Sequence, residues 1–124
     1  MPTDVFNNLA RLAPVAAWIA GVIQQDASGI APTLAYQSGF AESDQAQVTL
    51  ARNSAGNYTL TAANFQGLNG LAVVGMLTPM TTGAAFTASY TNSYSGATAT
   101  ITILTFNAAD AAADCSVGFE FKGI

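Results

Sequence analysis

The sequence is short of the residues that catalytic and metal sites use most often. It contains no histidine and one cysteine among 124 residues. The absence of histidine removes the commonest metal ligand and the usual general base. One cysteine cannot form a disulfide within the chain, so we predict a fold that does not depend on an oxidising compartment. Because no nucleophile–base set, metal set or phosphate-binding loop is recognisable, we expect no enzyme activity and no cofactor.

Positive charge is also scarce. Three Lys and Arg residues stand against seven Asp and Glu residues, for a net charge of −4. Arg11, Arg52 and Lys122 are scattered along the chain, whereas nucleic acids and anionic membranes attract clustered cations. The longest early apolar segment, residues 12–23, is shorter than the roughly 20 residues that span a bilayer. We therefore expect neither a nucleic acid nor a membrane partner.

Charge of either sign is rare. Charged residues make up 8% of the chain and hydrophobic residues 51%, against a usual charged fraction of about 25%. The length suits one domain, and a small domain has a large surface to cover. The sequence therefore predicts that part of the surface contacts other protein, and that the remainder is a neutral surface rich in hydroxyl groups.

Residues 1–31 are predicted to form an α-helical arm followed by a linker. Apolar residues recur at alternating spacings of four and three, which is the seam of a packed helix; they are Val5, Leu9, Leu12, Ala16, Ile19 and Ile23. Trp18 widens this apolar side. Two interpretations stay open. The arm packs on its own domain, or it meets copies of itself or docks on a larger assembly.

Residues 32–124 show the alternation of β-strands instead. The segments around Val48–Leu50 and Tyr58–Ala62 flank a turn and predict a β-hairpin. Strands at regular spacing follow, with one edge strand expected at 38–40. Residues that alternate toward one side, expected to be the core, are Tyr58, Leu60, Ala62, Phe86, Ala88, Tyr90, Ala97, Ala99, Ile101, Ile103, Cys115, Val117, Phe119 and Phe121. The predicted fold is all-β, an antiparallel jelly-roll-like β-sandwich with an N-terminal α-helical arm.

Some predicted strands carry apolar residues on both faces. The run from Leu71 to Leu77 is continuous, which predicts cover on both faces, and Val73 lies within it. Leu104 and Phe106 extend an outer row that is otherwise threonine. Together with residues of the arm, these positions predict an interface for copies of the chain or for a scaffold; the set is Val5, Leu9, Leu12, Trp18, Ile19, Ile23, Val73, Leu104 and Phe106.

The β region carries five segments in order, GNYTLT, AVVGMLTP, FTASYT, TITILTFNAADAAAD and FEFKG. In the most specific part a strand ends in Thr-Phe-Asn, alanines and an Asp follow, and a Phe-rich strand closes the chain. The residues of this part are Thr105, Phe106, Asn107, Ala108, Ala109, Asp114, Phe119 and Phe121. Over about residues 46–124 this order resembles the small trimeric β-sandwich proteins of tailed phages. Members often carry Gly in the loop after the Asn, where this chain has Asp110-Ala111. These proteins decorate heads or form tail-fibre tips, and their architecture is similar to C1q and tumour-necrosis-factor jelly rolls.

The resemblance implies a homotrimer with a structural or attachment role. Since the chain has only a short arm and no long stalk, we expect a capsid decoration protein located on the virion surface. Its partner would be the major capsid protein or another virion protein. The alternative is a receptor-binding module of a tail fibre or spike that recognises glycans.

Two groups of polar residues are the remaining candidates for a site. Asp110 and Asp114 with Asn107 could ligate calcium, but this ion prefers six to eight oxygens, and we favour hydrogen bonds that shape the loop. Cys115 alternates with core residues, so we interpret it as packing. Tyr90, Asn92 and Tyr94 are assigned to a loop, where aromatic faces and amides could contact a glycan; the alternative is a turn with a core tyrosine.

Overall fold

The protein is an all-β sandwich of two antiparallel four-stranded sheets. The computed structural model describes residues 18–40, 47–63, 65, 73–81 and 85–123. In chain order the strands are β1 (Trp18–Gln24), β2 (Thr33–Phe40), β3 (Gln47–Ser54), β4 (Asn57–Ala63), β5 (Val73–Pro79), β6 (Thr87–Ser95), β7 (Thr98–Phe106) and β8 (Val117–Gly123). The prediction of an all-β sandwich is confirmed, as is the hairpin formed by β3 and β4.

Each sheet combines strands that are distant in sequence. Sheet A has the order β2-β1-β8-β5, and sheet B has the order β3-β4-β7-β6. The first and last described strands, β1 and β8, are therefore neighbours at the centre of sheet A. In sheet B the central neighbours are β4 and β7. The expected edge strand at 38–40 is the end of β2, which does lie at the edge of sheet A.

The core follows from the alternation of the central strands. In β7 each second residue is buried, beginning at Ala99, and its neighbours are half-buried. β4 and β8 show the same period, which places their apolar residues between the sheets. The buried residues that pack there are Ile19, Ile23, Tyr58, Leu60, Ala62, Phe65, Ala99, Ile101, Ile103, Phe119 and Phe121. Burial of each large apolar side chain stabilises the fold by about 1.5–3 kcal/mol.

The helix prediction is wrong where the structure describes it. Residues 18–24 form β1, whose register with β8 runs without interruption. A spacing of four returns to the same side of a helix and also to the same side of a strand. Ile19 and Ile23 therefore fitted both patterns, and both are 0% exposed between the sheets. Residues 18–24, assigned above to the arm, thus belong to the sandwich, while residues 1–17 lie outside the described residues.

The β5 edge of the sandwich is closed by a tyrosine from the opposite sheet. The hydroxyl of Tyr90, in β6, accepts a hydrogen bond of 2.9 Å from the N–H of Gly75, in β5. The ring of Tyr90 meets that of Phe121 edge-on, with 5.0 Å between centroids. Gly75 leaves room for this arrangement, because a Cβ there would overlap Phe121 and lie 2.5 Å from the backbone oxygen of Glu120.

No helix long and apolar enough to cross a membrane occurs in the part of the chain that the structure describes.

Candidate functional site

The most polar feature of the interior is an ion pair at one end of the sandwich. Asp114 precedes β8 and Arg52 lies near the end of β3. The Nε of Arg52 is 3.1 Å from both carboxylate oxygens, and Nη2 is 3.0 Å from Oδ2. The side chain of Asp114 is 1% exposed, whereas that of Arg52 is 22% exposed. The pair therefore joins the segment before sheet A's central strand to an edge strand of sheet B.

Backbone groups complete the surroundings of the carboxylate. Asp114 accepts hydrogen bonds from the N–H groups of Gly29 and Gly56, at 2.8 and 2.9 Å. Burial by itself would raise the pKa of Asp114, but the hydrogen bond from Arg52 and those from Gly56 and Gly29 outweigh it and lower the pKa to about 2. The carboxylate is therefore charged at neutral pH and fully occupied by donors.

The hydroxyl of Tyr58 extends this network into the core. It lies 3.0 Å from Oε1 of Gln25 and 3.2 Å from Oδ1 of Asp114, and it accepts the N–H of Cys115 at 3.2 Å. Burial raises the pKa of Tyr58 to about 12. The Nε2 of Gln25 donates to the backbone oxygens of Ala27 and Ile30, at 2.6 and 2.7 Å. We name this set, Gln25, Arg52, Tyr58 and Asp114 with the N–H groups of Gly29 and Gly56, the Asp114 network.

The geometry of the network suits structure better than catalysis. A general base needs a free lone pair and a pKa near the working pH, and Asp114 has neither. No group of three or more His, Cys, Asp and Glu side chains that could hold a metal occurs within the described ranges. Asn107 accepts the N–H groups of Ala109 and Ala111 at 2.9 and 3.1 Å. The expectation that Asn107 or Asp114 hydrogen-bonds the loop backbone is confirmed for Asn107, whereas the hydrogen bonds of Asp114 go to other segments of the chain.

Cys115 is in the position that its alternation predicted. It is 0% exposed and, like Val117, it faces the interior. Its thiol is 3.1 Å from the backbone oxygen of Ser116. The cysteine therefore packs as a small apolar residue.

The three proposed glycan contacts do not lie in a loop. Tyr90, Asn92 and Tyr94 belong to β6, so the loop assignment is wrong; the turn falls at Gly96 and Ala97. All three are half-buried on the side of β6 that faces sheet A, and both tyrosines pack against the core. The alternation of aromatic and polar residues, which is equally typical of a strand, could have shown this. Glycan binding at these residues would have to compete with core packing.

The outer face of sheet B is neutral and rich in hydroxyl groups, as the composition predicted. Its described outward positions contain no charged residue. Cross-strand register aligns the hydroxyl residues into rows; they are Thr49, Thr59, Thr61, Thr87, Ser89, Thr91, Ser93, Ser95, Thr98, Thr100 and Thr102. Leu104 and Phe106, half-buried, stand at one end. We name this surface the hydroxyl face.

The outer face of sheet A differs in chemistry. Its described outward positions on β1 and β5 are mostly small or apolar and include Trp18, Ala20, Val22, Met76 and Thr78; Gly118 of β8 and Met80 lie beside them. Met76 is 69% exposed and Met80 49% exposed. Two charged residues, Glu120 and Lys122, project from β8. We name this surface the apolar face; since monomers seldom expose large apolar patches, it is the leading candidate for a contact surface.

The predicted interface residues are not brought together on one surface. Trp18 lies on the apolar face, whereas Leu104 and Phe106 lie on the hydroxyl face. Ile19 and Ile23 are core residues, so their assignment to an interface is wrong for this fold. Val73 begins β5, and nothing further is described of its side chain. The three positions in residues 1–17 (Val5, Leu9 and Leu12) lie outside the described residues.

Comparisons with models of protein families, with curated proteins and with solved structures give no match to this chain.

Proposed function

We propose that this chain is a structural protein of a virus particle, a decoration protein that forms homotrimers on the capsid of a tailed phage. The observation that carries the proposal is the apolar face, with Met76 exposed on a chain that is only 8% charged. Burying one such side chain in a contact contributes about 1.5–3 kcal/mol, and a closed ring of three repeats the gain at each interface.

One strand pair supports the same family of architectures. In a jelly roll an antiparallel ribbon folds over, so that strands from opposite ends of the chain become neighbours. The hairpins β1–β2, β3–β4 and β6–β7 each stay within one sheet, but β1 pairs with β8, as the two ends of such a ribbon do. This pairing supports the resemblance to trimeric phage β-sandwiches beyond the Thr-Phe-Asn motif at residues 105–107.

Sedimentation of the full chain at micromolar concentration tests the assembly. We expect the mass of three chains, held together at moderate salt because the contact surface is mainly apolar. A stable monomer would contradict the proposal. Location is tested with antibodies against the chain, which should label the heads of purified particles. Partners are then the shell proteins beneath, most directly the major capsid protein.

A receptor-binding module on a tail fibre or spike is the second candidate, favoured by the hydroxyl face. This surface is uncharged and offers rows of hydroxyl groups beside Phe106, which suits a neutral glycan better than a charged one. Antibody label confined to tails, together with binding on a glycan array, would support this candidate over a decoration protein. An array on which no glycan binds would contradict it.

A further inference from the structure

A groove on the apolar face is shaped for a side chain. It has a volume of about 270 Å³ and is lined by Ala20, Gly21, Met76, Thr78, Gly118, Phe119 and Glu120. Three strands form it, β1, β8 and β5. The residue at the base of the groove in β1 is Ala20, whose side chain is one methyl group. The sulfur of Met80 lies over Gly118, 3.2 Å from where a Cβ on that glycine would stand, so the open part of the groove is over Ala20.

The size of the groove points to the class of occupant. Small-molecule sites usually measure about 300–1,000 Å³ and surround most of their ligand. This groove is smaller and open along one face, so it suits one apolar side chain presented by another protein surface. Its lining contains one charged residue, Glu120, and no cation, which disfavours a nucleic acid or an anionic headgroup.

The apolar face that carries the groove also carries an exposed apolar side chain of a type that would fit such a groove. Met76 is the most exposed of the large hydrophobic residues described, at 69%. Methionine is unbranched and adapts to irregular cavities. Each copy of the chain therefore presents both an exposed methionine and an apolar groove on the same surface.

The apolar face carries one acidic and one basic residue, which can pair with the same two residues of a second copy. Glu120 and Lys122 have opposite signs and lie two residues apart on the same side of β8. A surface that pairs with its own copy needs both signs, since a single sign would place like charges together. A partner of one uniform charge would satisfy one of these residues and repel the other.

From these observations we infer that the apolar face is the contact between copies of this chain, with Met76 of one copy seated in the groove over Ala20, beside Met80, of the next. The inference rests on the proposed function, which requires copies to assemble. In a closed ring of three, each copy would donate one Met76 and receive one.

Engineered cysteines test the contact in the full chain. Met76→Cys and Ala20→Cys are combined in a Cys115→Ala background. Both positions lie opposite Glu120, on the two strands that flank β8. They are separated by two strand spacings, about 9.6 Å, which exceeds the about 7 Å limit for a disulfide. A disulfide between them must therefore join two copies.

A matched pair on the hydroxyl face controls for random collisions. Thr61→Cys and Ser93→Cys lie opposite Thr100 on the strands that flank β7, so they have the same spacing on the other sheet. We expect mild oxidation to give covalent trimers with the pair at 76 and 20, and at least about tenfold less product with the control pair.

The outcomes separate the inference from the function. If sedimentation gives trimers but the two pairs cross-link equally, the inference is overturned and the proposed assembly stands. If the chain is monomeric, both fail. Met76→Thr provides a second measurement, because this exposed strand position tolerates threonine and the change places no second carboxylate opposite Glu120. It should weaken association about tenfold or more, and association equal to wild type would overturn the contact.

Discussion

The two ends of the sandwich are held by different means. At one end, the Asp114 network joins the β1–β2 loop, the β3–β4 turn and the segment before β8 through charged and polar hydrogen bonds. At the other end, the β6–β7 turn at Gly96 has open space around it. The nearest described bond there is a single backbone contact, from the N–H of Phe65 to the oxygen of Ala97 at 2.8 Å.

This difference shows what a nearly uncharged chain does with its few charges. Arg52 and Asp114 are used to fasten one end, where three connecting segments converge and leave backbone N–H groups without strand partners. A carboxylate can accept several such donors at once, so one buried residue can order several loops. Gly56 and Gly96 both lie in turns between adjacent strands of one sheet, but the Gly56 turn donates to the carboxylate of Asp114, whereas the Gly96 turn lies at the opposite end, away from it.

The largest effect is expected from removing the charge of the network. Asp114→Asn leaves Arg52 without its counterion and points an amide N–H₂ at groups that are already donors. Breaking a buried pair in this way costs about 3–5 kcal/mol. Because Arg52 is 22% exposed, we expect the lower end, about 3 kcal/mol, measured as the free energy of unfolding in urea.

Asp110→Asn is the matched control for that variant. Asp110 lies in the same loop, is exposed, and has a φ of 59°, which Asn tolerates as well as Asp. Its change should stay within about 0.5 kcal/mol. Equal losses of unfolding free energy in Asp114→Asn and Asp110→Asn would mean that the Asp114 network stabilises the fold no more than an exposed carboxylate of the same loop does.

A smaller contrast is expected between the two turn glycines. Gly56 and Gly96 have nearly the same φ, 64° and 61°, so Ala adds a similar backbone strain of about 1–2 kcal/mol at each. At Gly56 a Cβ would also lie 2.7 and 2.9 Å from backbone atoms of Ala113, whereas nothing lies within 4 Å at Gly96. We expect Gly56→Ala to cost about 1–2 kcal/mol more than Gly96→Ala.

Thermal or urea unfolding of the two glycine variants, followed by circular dichroism, measures this contrast. Similar losses would show that crowding at the Asp114 end adds nothing to the strain that both turns share.

The sequence was sufficient for the core sides of three strands and insufficient for β1. Alternation identified the core sides of β4, β7 and β8 because period two is unambiguous when polar residues or glycine separate the apolar ones. It failed for β1, where Ala20 and Val22 between the isoleucines removed the polar contrast and left a spacing that a helix also produces. A strand that is apolar on both sides carries no such contrast.

Pairing across the sequence was beyond prediction for a different reason. Arg52 and Asp114 are separated by 62 positions, and a single sequence does not show which of seven acidic residues meets a given arginine. The apolar face was anticipated only in part, from the run that ends at Leu77. Its other half, Ala20 and Val22, was concealed by the helix assignment.

The last expected effect is a dependence of stability on pH, and it tests whether the Asp114 carboxylate is charged in the folded protein. Its pKa is lowered from 3.8 to about 2 on folding, so the unfolded chain takes up the proton first as the pH falls. The stabilisation is therefore complete above about pH 4 and is lost as the pH falls toward 2. Protonated Asp114 resembles Asn, so the difference in unfolding free energy between wild type and Asp114→Asn should narrow over this range. Urea titrations at pH 6, 4 and 2 measure that difference, and the variant cancels the titration of the remaining carboxylates. A constant difference would mean that the shape of the side chain, rather than its charge, fastens this end of the sandwich.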